Sequence, residues 1–449
     1  VTTAALVSAL PTADELLKYT IKASGFAKFR ETVRSVRGCL RPVWLAGSWS
    51  AQRSDGTPVK EHSGQIAVAC NNRRESVCPS CAARYAGDAY QLVKAGLSGG
   101  KGVPDEAARH LRLFVTLTGP SFGAVHTRAT TTRGRVRRCT CGEVHHQADT
   151  RIGSAVDPDS YDYAGAVLWN AHAGQLWHRF RIYLARLVAA SLGIKSKDIA
   201  HTFRLSYSKV AEYQRRGLVH FHAVIRLDGP DGPGSPAPDG VTAQMLDEFI
   251  RVAVWKTSVE VEATDTYPAT VVTWGRQVQI DPIAESASDD AADVVVDQRV
   301  AGYIAKYSTK GTGATEGTDT RIRSEAQIDE LNVSEHHRRM IRTAWRLGLR
   351  RWAHMLGFGG HFLTKSKYYS TTFTALRGVR AEHQRAEHLA ALGIDDTDDV
   401  RIVNDWTFTG IGWGNAAQRE LAEAMSERHQ YAQRIEYDAR KEIDGGQHG

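Results

Sequence analysis

The chain has 449 residues, of which 42% are hydrophobic and 24% charged. That is the composition of a globular protein with sizeable cores, and it excludes a disordered, collagen-like or coiled-coil chain. Lys and Arg number 57 against 50 Asp and Glu, a net charge of +7 that permits a nucleic-acid partner without requiring one. No stretch approaches the roughly 18 apolar residues of a membrane span.

The opening segment, VTTAALVSALPTADELLKY, has no basic residue ahead of its apolar part. It does not read as a signal peptide, and a cytoplasmic setting follows. The length suggests two or three domains. Residues 1–108 form a cysteine-bearing N-terminal region, 109–375 a central domain, and 376–449 a polar, helical tail.

The first strong strand signal is Leu111–Thr118, ended by Gly119-Pro120. A basic, cysteine-bearing insertion follows at about 128–157. A long helix is predicted over 164–191, with Leu168, His172, Leu176, Phe180, Leu184 and Leu187 at helical spacing. Two strands, 202–213 and 218–227, flank a turn at Arg215-Arg216-Gly217. A Pro/Gly-rich loop (228–240), a helix (242–259), a strand (277–280), an acidic loop and a helix (293–310) come next. Then follow a basic helix (335–351) and a strand-like run (365–373). Hairpins mixed with helices, without repeated βαβ units, indicate an α+β fold with a mostly antiparallel sheet.

His220 and His222 in GLVHFHAVIRLDG lie two apart on a strand and share one face. Glu212, across the predicted hairpin, can stand opposite His220. Two imidazoles and a carboxylate with open positions suit a catalytic divalent ion; two half-buried strand histidines are the plainer alternative. In VAGYIAKYSTKGT, Tyr303 and Tyr307 are four apart, with Lys306 and Lys310 on the same face of the helix. Val296, Val300 and Ile304 form the adjacent apolar stripe. Phenols beside ammonium groups and a metal can attack phosphorus; the alternative is an aromatic pair closing a core.

Cys78-Pro-Ser-Cys81 is a zinc-knuckle pair that Cys39 and Cys70 can complete. Cys139, Cys141, His145 and His146 form a tighter mixed cluster after Arg133, Arg135, Arg137 and Arg138. A metal-stapled basic loop and a solvated loop are both open readings. Arg338, Arg339, Arg342, Arg346, Arg350 and Arg351, interleaved with Trp345 and Trp352, can track phosphates and stack bases. Lys365 and Lys367 with Tyr368 and Tyr369 offer the same chemistry. Acidic residues at 281–297 and at Asp395, Asp396, Asp398 and Asp399 offset these basic clusters. Gly96–Gly102 lacks the spacing of a phosphate loop, and no ATPase motif is present.

In order, FVTLT (114–118), HFHAV (220–224) and YIAKYSTK (303–310) resemble the three motifs of HUH endonucleases, in particular rolling-circle replication initiators of actinobacterial plasmids and integrative elements. NNRRESVCPSCAARY, TLTGPSFGAVHTR, YDYAGAVLWNAHAGQLWHRF and WAHMLGFGGHFLTKS extend the resemblance over about residues 37–375. It implies a central five-stranded antiparallel sheet flanked by helices, with Mg²⁺ or Mn²⁺ at the histidines and a third polar ligand. It also implies that Tyr307 attacks single-stranded origin DNA, leaving a 5′-phosphotyrosine and a 3′-OH primer, with later rejoining of the strand. Tyr303 would serve termination or another role. Structural Zn²⁺, a host helicase and a DNA polymerase complete the expected partners, and no membrane is involved. A relaxase or transposase with the same chemistry, a metal hydrolase, and a non-catalytic zinc-stabilised DNA-binding regulator are the alternatives.

Overall fold

A computed structural model describes residues 25–283, 291–310, 320–391 and 400–446, together with 18, 21 and 22. The aspartates at 395–399, the middle of the acidic loop, the Val296 side chain and most of the opening segment lie outside the described residues.

In chain order the elements are α1 (Phe26–Ser35), β1 (Val43–Arg53), β2 (Pro58–Val68), α2 (Pro79–Ser98), β3 (Arg112–Leu117), α3 (Tyr163–Ser191), β4 (Arg204–Tyr213) and β5 (Val219–Asp228). They continue with α4 (Ala243–Lys256), β6 (Ser258–Val261), β7 (Thr270–Thr273), β8 (Val278–Ile283), α5 (Ala291–Ser308) and α6 (Ala326–Glu330). The last are α7 (Glu335–Arg346), β9 (Leu363–Lys365), α8 (Phe373–Ala391), β10 (Val400–Ile411) and α9 (Ala416–Gly446). Among the described residues no helix is long and apolar enough to cross a membrane.

The chain divides into two compact units, 1–85 with 378–449, and 86–377. In the first unit, β1 is the central strand of an antiparallel sheet ordered β10-β1-β2. The β1–β2 hairpin turns at Asp55-Gly56, where the Asp55 carboxylate accepts from Thr57 N at 2.8 Å. The sequence places no strand before residue 111 and reads the tail as helical; β1, β2 and β10 correct both. Their apolar residues are interrupted by glycine, serine and charged side chains, and β1 and β10 pair along their length although some 350 residues separate them, with Val43 opposite Ile411. The run at 365–373 is likewise not one strand: β9 is short, and α8 begins at Phe373.

The second unit is built on a five-stranded antiparallel sheet, β8-β3-β5-β4-β9. One face packs against α3, through Trp169, Trp177, Phe180 and Phe221, and against α4, through Leu246 and Ile250. The other face carries Val210 and Val224 and is covered by Leu92, Val93 and Leu97 of α2 and by Ala301 and Ile304 of α5. Capping fixes the helix starts: Asp162 accepts from Gly165 N, Thr242 from Met245 N and Ser334 from His337 N.

Among the polar groups buried in these layers are Arg112 and Lys209. Arg112 of β3 is buried and donates to Asp297 of α5 at 3.1 Å and to the Leu97 carbonyl at 2.6 Å. This ion pair ties α5 to the sheet. Lys209 of β4 lies inside the α3 face, its ammonium 3.6 Å from the Phe221 ring centre and 5.6 Å from that of Trp177. Burial lowers its pKa from the ordinary 10.5 to about 7.

Asp297→Ala leaves the Arg112 guanidinium buried without this carboxylate. The expected loss is about 3–5 kcal/mol of stability, read as a lower urea midpoint; a loss below about 1 kcal/mol contradicts the role given to the pair. For Lys209, the unfolded chain holds a proton between pH 7 and 10.5 that the folded chain has released. Stability therefore rises with pH across that window. Lys209→Met is expected to raise the melting temperature at pH 7 and to flatten this rise; an unchanged pH profile contradicts it.

Candidate active site

The β4–β5 register puts Glu212 directly opposite His220, with His222 two residues along the same face. Asn170 of α3, fully buried, pins this hairpin. Its amide donates to the Gly217 and Leu356 carbonyls at 2.9 Å each, and its carbonyl accepts from Val219 N at 3.0 Å. Arg216, in the predicted turn, donates to the Gly119 and Pro120 carbonyls and so locks the turn to the end of β3.

Glu212 Oε2 lies 3.1 Å from His220 Nε2 and 3.0 Å from His222 Nε2, and the two Nε2 atoms are 3.1 Å apart. Cis ligands of an octahedral ion at about 2.1 Å stand about 3.0 Å from one another. The three atoms therefore fit one triangular face of such a site, with the opposite face left for substrate and water. Thr116 of β3 stands 2.9 Å from His222 Nδ1. A proton on Nδ1, donated to Thr116, leaves the Nε2 lone pair for an ion. Burial pushes the Glu212 pKa up, but hydrogen bonds from both histidines outweigh it and hold the carboxyl at about 2. Burial lowers the pKa of His222. The Glu212 carboxylate is thus ionised at neutral pH, and a bound ion would take the place of the imidazole Nε2 protons that donate to it.

The tyrosine helix packs over this face. Tyr303 Oη is 3.1 Å from His222 Nε2 and 3.5 Å from Glu212 Oε2. Phe114 stacks on His222 and meets the Tyr303 edge, fixing both rings. Tyr307 follows one turn later, its ring centre 4.4 Å from that of Tyr303 and 6.0 Å from that of His222. Lys310 Nζ stands 4.7 Å and Lys306 Nζ 5.7 Å from the Tyr307 ring centre. Burial, and then the Glu212 charge, push the Tyr303 pKa above the ordinary phenol value. A cleft of about 570 Å³ opens here, lined by Glu212, His220, Lys310 and residues 147–150, 152 and 154 of the insertion.

The four N-terminal cysteines also converge. Cys70 and Cys81 Sγ are 3.7 Å apart and Cys39 and Cys78 Sγ 3.8 Å, so none is in a disulfide. A tetrahedron with metal–sulfur bonds of about 2.3 Å has edges of about 3.8 Å, and this cluster can hold a metal ion. Hydrogen bonds from Cys39 and Cys78, with Arg84 beside it, hold the Cys81 thiol far below the ordinary range.

Elsewhere the structure redraws the sequence expectations. In the insertion, Cys139, Cys141 and His145 converge with His126, not with His146, which is exposed. The signal for His126 is weak: it lies thirteen residues before Cys139, outside the compact motif. Arg338 is occupied by the Ile328, Asp329 and Leu331 carbonyls at the end of α6. Arg339 pairs with Asp159 and Arg342 with Asp329. These three hold neighbouring segments together, and Arg346 stays exposed. Lys365 donates to the Ser366 and Ser370 carbonyls, and Tyr369 is wholly buried, its hydroxyl on the Val93 carbonyl. Lys367 is exposed over Tyr368, and Arg133, Arg135, Arg137 and Arg138 are all exposed. Asn170 and the Arg112–Asp297 pair carry no local sequence signal of their roles, and Thr116 falls in the FVTLT run without a sign of its contact with His222.

No solved structure matches the chain. The family model described as RepSA, replication initiator protein, pSAM2, matches residues 25–427. A replication initiator protein from Streptomyces ambofaciens is 42% identical over 422 residues, covering 89% of this chain and 90% of the relative. A match over most of the length, spanning the hairpin, the tyrosine helix and the cysteine cluster alike, places the chain in the RepSA family of replication initiator proteins.

Proposed function

We propose that the protein starts rolling-circle replication of a plasmid or integrative element by nicking single-stranded origin DNA through a tyrosine, as an HUH endonuclease does. The observation that carries this reading is the convergence of Glu212, His220 and His222, whose facing atoms are 3.0–3.1 Å apart, with the Tyr303 hydroxyl 3.1 Å from His222 and 3.5 Å from Glu212. A Mg²⁺ or Mn²⁺ ion held by the two histidines and the carboxylate would polarise the scissile phosphate and favour the ionised phenol.

The residues of the chain divide the remaining work. Tyr303 Oη attacks phosphorus; the bond to the 3′ oxygen breaks, and the phenol proton is returned to that oxygen through solvent. The 5′ end is then held as a phosphotyrosine and the 3′-OH is free to prime a polymerase. Geometry favours Tyr303 for this first transfer, although the motif alone points to Tyr307. Tyr307, one turn away with Lys306 and Lys310 beside its ring, carries the second transfer that rejoins the strand. Asn170, Thr116 and Phe114 keep the acceptor groups in register. The Cys39, Cys70, Cys78 and Cys81 cluster takes structural zinc, since four thiolates at tetrahedral spacing suit that ion. Origin DNA is the partner, in the cytoplasm, with a host helicase separating strands ahead of the polymerase.

With labelled single-stranded origin DNA and Mn²⁺, a covalent protein–DNA adduct is expected on denaturing gels. Tyr303→Phe should lower adduct formation by at least about a thousandfold. Tyr307→Phe should still form it but fail to rejoin the strand, and His220→Ala should abolish it. Undiminished cleavage by the Tyr303→Phe/Tyr307→Phe variant contradicts the tyrosine mechanism.

The exposed arginines of the insertion give a separate test. Replacing Arg133, Arg135, Arg137 and Arg138 with Ala should weaken single-strand binding. The slope of log K against log salt should fall by up to about 3, at about 0.7 per lost phosphate contact. An unchanged slope removes these residues from the DNA path.

A further inference from the structure

The insertion at 128–157 places a second cluster of ligand atoms beside the proposed nicking site. His126 Nδ1 is 3.2 Å from His145 Nε2, and Cys141 Sγ is 3.3 Å from the same atom. Cys139 Sγ joins them and accepts from Thr127 N at 3.4 Å, as metal-bound thiolates do. His145 is buried, and its other nitrogen, Nδ1, lies 2.7 Å from Asp149 Oδ2. A carboxylate on the far nitrogen of an imidazole fixes the tautomer that presents Nε2 to an ion. Arg151 in turn clamps Asp149 at 2.9 Å and Glu143 at 2.7 Å. This second layer of polar contacts is an observation independent of the cluster itself.

Two arms leave the cluster. One is a small hairpin, bridged at Thr130 and Val136, which carries the exposed arginines at 133, 135, 137 and 138. The other is the segment 147–154, which walls the cleft that contains Glu212, His220 and Lys310. The second arm returns to the first ligand: His126 N donates to the Ser154 carbonyl and Gly153 N to the His126 carbonyl. Gly153 adopts φ +99°, and a Cβ there would stand 2.6 Å from the Arg215 backbone, in the turn of the catalytic hairpin. Only glycine allows that approach.

We propose that His126, Cys139, Cys141 and His145 bind one tetrahedral zinc ion that fixes residues 147–154 as a wall of the DNA-binding cleft. Two thiolates and two imidazoles are a ligand set that selects zinc, and all four positions are filled by protein, which makes the site structural. Binding of the ion stands on the ligand geometry alone; its effect on DNA rests on the nicking reading above.

Metal content of the full chain, purified with zinc and measured by elemental analysis, tests this without any DNA. Two zinc ions per chain are expected. His126→Ala should lose one, Cys78→Ser should lose the other, and His146→Ala should keep both. Cobalt substitution reports the ligands directly: Cys78→Ser should retain a tetrahedral visible spectrum with thiolate charge transfer, and Cys139→Ser/Cys141→Ser should remove that component. Asp149→Asn should weaken zinc binding about 10–100-fold. Trypsin cleavage after Arg151 should be slow in the zinc-loaded protein and fast in His126→Ala or after chelation. One zinc per chain in the unaltered protein, lost with Cys78→Ser, overturns the proposal. So does loss of an ion in His146→Ala with none lost in His126→Ala. If metal content behaves as expected while no DNA adduct forms, the site stands and the nicking reading fails.

Discussion

The register of the β4–β5 hairpin is the constraint on which the candidate site depends. Side chains alternate faces along a strand, so Glu212, His220 and His222 share a face only because Glu212 pairs with His220. A slip of one residue would send the carboxylate into the α3 core and Lys209 or Ala211 toward the histidines. The protein guards this register from three sides. Asn170 grips the turn from α3, Arg216 ties it to the end of β3, and Gly153 allows the insertion to close against Arg215. Asn170 and Gly153 meet backbone atoms of the turn and Arg216 uses its side chain, all at the end of the hairpin where a shift in register would be felt first.

The helix above the triad is held by a different force. Its apolar side, Ala301 and Ile304, packs on the sheet, but apolar contacts alone tolerate rotation. The Arg112–Asp297 pair is directional and buried, so it selects one rotation of α5, the one that turns Tyr303 toward His222. Desolvating two charges costs much of what their attraction returns. A pair of this kind is better understood as specifying geometry than as adding stability.

Much of this was legible beforehand, for physical reasons that differ by residue. His220 and His222 stand out because imidazoles two apart in a β-branched run must face the same way. Tyr303, Lys306 and Tyr307 follow from the helical period, whereas Lys310 lies two residues past the end of α5 and reaches the Tyr307 ring from the turn that follows. Glu212 required only a short turn of countable length. What escaped the sequence depends on contacts far apart in the chain. β1 and β10 pair across most of its length, and neither has its partner nearby in the sequence to mark it as part of a hairpin. His126 joins Cys139 only because residues 125 and 155 bridge, closing the insertion into a loop. The arginines of α7 look like a DNA-binding row in one dimension. In three, carbonyls and carboxylates of α6 and of the segment before α3 occupy Arg338, Arg339 and Arg342.

Glu212, His220 and His222 are proposed to hold the ion that activates the scissile phosphate. Anomalous diffraction at the manganese edge, from crystals soaked in Mn²⁺, tests it most directly. The account predicts one strong peak about 2.1–2.3 Å from Glu212 Oε2 and both Nε2 atoms, with the Tyr303 hydroxyl facing it across open coordination positions. An empty triad beside manganese bound elsewhere in the cleft would contradict it.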